Sequence, residues 1–268
     1  MTGDLKRAWG STLSVAELAA IRSCGFRPVG QVMGCCVHQF WPGIYGMSTG
    51  MGGAMGMGGI YGGYSLTQEL PEYAGALRRA RRLALDRMSA EAAGAHGVVG
   101  VRLKLRRIDV GNSVIEFTAL GTAVTADGLT PEPGFRPFLS LLSGTDFAKL
   151  LRSGYVPCGV VMGVCALWVA SGWRTAMQLG SWYGQEVQQY SEAAMRARDL
   201  AMASLRRDMV EVSADGAVGG DVTMEIHEWE GGRGPEHMVE FLSLGTAVTR
   251  FFEGPAKDDL PHPVIRLT

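Results

Sequence analysis

The sequence predicts an α+β protein built as two tandem copies of a small helix–strand–helix–strand–strand unit. Three observations predict it: three blocks recur in the same order in both halves of the 268 residues, the blocks switch between helical and strand periodicity, and a Pro-rich stretch separates the copies. Repeats are sought first because a missed one misassigns the whole fold.

Each copy opens with a short helix. Ser14 stands three residues before Glu17, and Ser143 three before Asp146, the spacing of an N-terminal cap. Gly25 and Gly154 are placed to end those helices at the position just past the last turn, and Pro28 and Pro157 prevent their continuation. The first block follows as a strand: Gly25 to Cys36 aligns with Gly154 to Cys165. The second block, Tyr73 to Gly100 and Tyr190 to Gly219, is a long amphipathic helix running into a strand. Leu77, Ala80, Ala84 and Met88 form one stripe of the helical wheel, as do Ala194, Ala197, Ala201 and Leu205. Alanine dominates the stripe, so the helix is expected to lie close against a sheet. The third block, Val114 to Thr125 and Met238 to Thr249, has the β-branched and aromatic content of a strand.

These blocks divide the chain into an N-terminal extension (1–13), a first repeat (14–127), a Pro-rich linker (128–142), a second repeat (143–252) and a tail (253–268). Gly154 follows Gly25 by 129 residues, whereas Tyr190 follows Tyr73 by 117. The first repeat therefore holds about twelve extra residues, inside the Gly- and Met-rich stretch 43–64. That stretch concentrates an anomaly: 38 glycines, roughly twice the usual share.

Composition narrows the function classes. With 47% hydrophobic residues and a net charge of −1, the chain is neither wholly disordered nor a general polyanion binder, so no nucleic-acid partner is expected. Asp4, Lys6 and Arg7 are followed by no long apolar run before Glu17, so a secretory signal is not expected and the chain is placed in the cytoplasm. Five cysteines without a Cys-x-x-Cys suit free thiols. Val156 to Trp173 is uncharged, but its prolines, glycines and β-branched residues argue against a spanning helix; peripheral membrane association is kept as an alternative.

The Gly-rich first strand (Val29 to Cys36), the Arg- and Ala-rich helix opening at Tyr73, the turn Gly94-Ala95-His96-Gly97-Val98-Val99-Gly100 and the closing Leu120-Gly121-Thr122-Ala123-Val124 together resemble the YbjQ-like family, which carries a heavy-metal-binding label. A second, weaker instance spans 154–250. The resemblance implies a helix packed on a mixed sheet, assembly into five-fold rings and no catalytic motif. A ring in which two repeats alternate holds an even number of units, so the expected assembly is five chains in two stacked rings, like repeat with like repeat.

Candidate sites follow. Cys35, Cys36 and His38, with Met47, Met51, Met55 and Met57, offer thiolate, imidazole and thioether donors suited to Cu or Zn, the basis of a soft-metal sequestering reading. Strand alternation sets Cys36 and His38 on one face and Cys35 on the other, and the second repeat has Val164 and Leu167 where Cys35 and His38 stand, which favours core packing. The loop methionines also suit an adaptable contact with a protein partner. Trp173, Trp182 and Tyr183 read as packing or interface anchors. Glu116 and Glu240, each before a Phe in the third block, are expected to pair with a helix arginine, Arg79 or Arg196. No nucleophile, base and oxyanion donor assemble, and a self-assembling, non-catalytic scaffold is expected.

Overall fold

The computed structural model describes residues 10–39, 66–110, 112–170, 186–231 and 234–251. Two four-stranded sheets and four helices follow one another as α1 (Val15–Ser23), β1 (Phe26–Gln39), β2 (Leu66–Glu69), α2 (Pro71–Glu91), β3 (Gly97–Val110), β4 (Asn112–Ala126), β5 (Phe138–Leu139), α3 (Gly144–Arg152), β6 (Tyr155–Ala170), α4 (Gln188–Glu211), β7 (Gly216–Gly231) and β8 (Gly234–Arg250). The architecture is α+β, as expected.

The short helices are fixed by their caps. Ser14 Oγ accepts the Glu17 N–H while Glu17 returns a bond to the Ser14 N–H at 2.7 Å, and Ser143 Oγ accepts the Asp146 N–H at 3.1 Å. Gly25 (φ 78°) and Gly154 (φ 81°) take the left-handed conformation that stops each helix. The chain then enters β1 and β6, which run antiparallel to β4 and β8. Both pairings break register at the same place, Pro28/Gly30 and Pro157/Gly159, where a proline has no N–H to give the ladder. The strand after each long helix also bulges, between Val99 and Arg102 and between Val218 and Asp221. Gly100 (φ 66°) and Gly219 (φ 62°) supply the positive φ at those bulges.

Sheet order is β1-β4-β3-β5 in the first half and β2-β6-β8-β7 in the second. Two strands cross between halves: β2 pairs with β6, and β5 adds in parallel to β3. The Pro-rich stretch read as a linker therefore contributes a strand to the first sheet. Val156 to Ala170 lies within β6, and no helix among the described residues is long and apolar enough to cross a membrane.

The alanine stripe does what its small side chains permit. A Cβ on Gly34 would run into the Ala84 carbonyl of α2, and one on Gly163 into the Ala201 carbonyl of α4. Each long helix thus rests backbone-close on its own sheet. The other side of α2 is covered too. Its core cluster joins Tyr73, Leu77 and Ala80 to Met162, Val164 and Ala166 of β6 and Met238 and Leu242 of β8. Alternation along β6 explains this: Cys165 and Leu167 face α4, while Met162, Val164 and Ala166 face α2. The layers run first sheet, α2, second sheet, α4.

Candidate functional site

The junction between α2 and the second sheet holds the molecule's main polar cluster among the described residues. Glu225 of β7 and Glu240 of β8 are direct neighbours in register, a like-charge pair that destabilises a sheet unless a cation intervenes. Arg107 of β3, from the first half, is that cation. Its guanidinium donates to Glu240 Oε1 at 2.6 Å and to Glu225 Oε2 at 2.9 Å, and its Nε donates to the Tyr73 hydroxyl at 2.9 Å. Tyr73, near the start of α2, donates its hydroxyl to Glu240 Oε2 at 2.7 Å. His227 Nε2 lies 3.3 Å from Glu225 and 3.7 Å from Glu240.

Glu240 is only 3% exposed. Burial alone would raise its carboxyl pKa, but contact with His227, the Arg107 charge and the bonds from Tyr73 and Arg107 hold it below the ordinary carboxylate value. Burial and the adjacent Glu240 charge push the Tyr73 phenol well above its usual value, so it remains a donor. Burial opposes the charge on Arg107, and Glu240 and Tyr73 outweigh it. The network ties the halves together through Arg107.

A second tie lies further along α2. Arg81, buried at 6% exposure, reaches Asp208 of α4 at 2.8 Å and the Val160 carbonyl at 3.3 Å. Asp208 also accepts the Met162 N–H at 2.9 Å. Arg78 donates to Ser204 of α4 at 3.1 Å.

The sequence-predicted residues are distributed differently. Arg79 and Arg196, expected as partners of the two glutamates, are exposed on their helices. The cations come instead from a strand: Arg107 for Glu240, and Arg106, 3.7 Å away, for Glu116. Arg107 sits in the first half and its carboxylate in the second, so no local spacing joins them. One signal was available, the tyrosine shared at matching positions: Tyr73 meets Glu240, whereas Tyr190 meets His237 at 2.7 Å.

Of the soft donors, Cys36 is packed beneath α2 in the core and burial raises its thiol pKa, which disfavours the thiolate a metal needs. Cys165, its counterpart, is pushed up to about 12 by burial. Cys35 and His38 are each half-buried, Cys35 on the opposite face of β1 from Cys36. No group of three His, Cys, Asp or Glu among the described residues could hold a metal ion, so the described donors do not fit one. Met47, Met51, Met55, Met57, Trp173, Trp182 and Tyr183 lie outside the described residues.

The outward face of the first sheet is uncovered: Met33 is 52% and Val37 62% exposed on β1. Their counterparts Met162 and Ala166 are buried under α2. The outer face of α4 is similarly bare at Met195 and Val210.

Residues 43–127 match a family model described as YbjQ_1, "Putative heavy-metal-binding". Across 256 residues the chain is 34% identical to the encapsulin nanocompartment protein Rv1762c of Mycobacterium tuberculosis, an alignment covering 93% of this chain and 88% of that protein.

Proposed function

Because this chain belongs to the YbjQ-like family, we propose that it is a non-catalytic, self-assembling ring or scaffold protein built from two tandem YbjQ-like units. The naming of a full-length relative for a nanocompartment supports assembly as the common property. The observation that carries the reading is the bare apolar face of β1, where Val29, Met33 and Val37 are each at least half exposed. Solitary exposed apolar residues need no explanation, but an alternating row on one sheet face marks a contact surface. The clusters of titratable residues described above are consumed in holding the halves together, which supports a role without catalysis. The Gly- and Met-rich stretch 43–64 is proposed as the surface offered to a protein partner.

The family resemblance sets the expected size at five chains. A native mass spectrum at micromolar concentration is expected to show a closed oligomer with no stoichiometric metal. A monomer would overturn the scaffold, and bound Cu or Zn lost on Cys36→Ala and His38→Ala would replace it with metal sequestration.

A further inference from the structure

From the packing of the two halves we infer that chains join head to tail, the outer face of α4 in one chain covering the bare β1 face of the next. The inference rests on the scaffold reading and names its interface. Within the chain, the helix of the first half covers the sheet of the second. The same arrangement can be made once more, by the second half upon another chain's first half, because the elements and an Arg–carboxylate pair recur at the same alignment offsets.

Consider the buried pair Arg81 and Asp208. Arg198 of α4 stands where Arg81 stands in α2, and Glu91 of α2 stands where Asp208 stands in α4. Glu91 already accepts the Met33 N–H at 2.7 Å, as Asp208 accepts that of Met162. The carboxylate is thus held in the same posture, while Arg198 is exposed and, among the described residues, meets Asp199 at 3.2 Å, itself well exposed. Arg198 of one chain and Glu91 of the next are complementary charges waiting in a geometry the molecule already uses. Around them the apolar surfaces match: Met195 and Val210 on α4, Met33 and Val37 on β1, all exposed.

An independent observation comes from the sheet edges. Residues ahead of α3 lie along the outer edge of β3: Gly100 N–H bonds to the Leu142 carbonyl at 3.0 Å, Val101 N–H to the Ser140 carbonyl at 2.9 Å. That segment is seated on its own half through Leu141 N–H to Thr246 Oγ1 at 2.9 Å. The segment ahead of α1 is seated identically, Thr12 N–H to Thr122 Oγ1 at 3.0 Å. It therefore holds Ser11 and Leu13 where Ser140 and Leu142 stand, aimed at a strand edge that its own chain does not supply. The matching edge is that of β7, the terminal strand of the second sheet, whose Val222, Met224 and Ile226 are exposed. Both observations select the same neighbour, with α4 and β7 on one side and β1 and the Gly10–Leu13 segment on the other.

Such a contact is heterologous, so repetition gives a chain of alternating first and second halves, which is a ring where the rotation between copies closes. It replaces the like-with-like stacked rings expected from sequence, since α2 is already covered on both sides. Two of the side-chain ties are not reproduced: Met195 and Arg87 stand where Arg78 and Ser204 stand, and Ile226 stands where Arg107 stands, so the junction between chains lacks the buried cation of the junction within them.

The test uses the full chain, with native mass and sedimentation as readouts and thermal melting as the folding control. Arg198→Glu is expected to raise the concentration for half-assembly by about tenfold or more, as is Met33→Asp. Arg198→Glu combined with Glu91→Arg is expected to restore the ring by exchanging the charges. If the native chain assembles but Arg198→Glu and Met33→Asp leave its mass unchanged, the face is covered by something else and the inference falls while the scaffold stands. Loss on Arg198→Glu without rescue in the charge-exchanged variant also overturns the pairing. A monomeric native chain removes the scaffold itself.

Discussion

Gly34 and Arg107 show how much single positions decide. At Gly34 and Gly163 the helix carbonyl occupies the space of a Cβ, so Gly34→Ala should cost about 1–3 kcal/mol through forced displacement, read by urea melting. Gly30→Ala, with nothing within 4 Å of its added Cβ, is the matched control and should cost far less. Arg107→Ala leaves Glu240 buried beside Glu225 without its cation, and a loss of about 3–5 kcal/mol is expected. The pH dependence has a definite sign. A carboxyl held below its unfolded pKa contributes fully above that unfolded value, and its contribution disappears as pH falls through the folded one. Glu240 is such a group, so Glu240→Gln should flatten the acid side of the stability curve relative to the native chain. Flattening will be partial, because Glu17, lowered by the Ser14 N–H, and Asp146, lowered by the Ser143 hydroxyl, titrate on the same side. The close-packed glycines were legible from the alanine stripe opposite them. Arg107 was not, because pairing across halves leaves no local periodicity to read.

Among elements, the caps were the most legible and are the simplest to test. Ser14→Ala and Ser143→Ala should each cost about 1 kcal/mol, measured by chemical denaturation. Glu17→Ala should cost more than Asp146→Ala, since Glu17 also accepts the Gly144 N–H that opens α3, at 3.2 Å. The long helices were legible on one side only. The stripe from Leu77 to Met88 marked a face lying close against a sheet, but nothing in it marked the face that carries Arg78 and Arg81 as a second contact. In the structure Arg81 is buried against Asp208, because a long side chain can lay its stem on apolar residues and deliver its charge beyond them. Strand β5 was hidden for the opposite reason. Proline content marks a linker in composition, yet Phe138 and Leu139 need only two residues of extended backbone to join β3. Strand β2 pairs with β6 across the halves, which no block alignment reveals.

For the molecule as a whole, α2 belongs to two cores at once, and this predicts one unfolding event. Calorimetry of the full chain should give a single transition whose calorimetric and van't Hoff enthalpies agree; two resolved transitions would show that the halves are independent. The repeat expected from the sequence describes elements well and their relations poorly, since it suggests two separate bodies where the structure has interleaved layers. The sharing of α2 also sets an order of events during synthesis. The first sheet and α2 leave the ribosome while β6 is still unmade, so the helix face carrying Tyr73 and Arg81 begins its existence against water. The acid that holds Tyr73 and Arg107 is on β8, the last strand among the described residues. A nascent chain interrupted before Glu240 carries an open apolar flank that invites association with other unfinished chains, and only completion of β8 closes it.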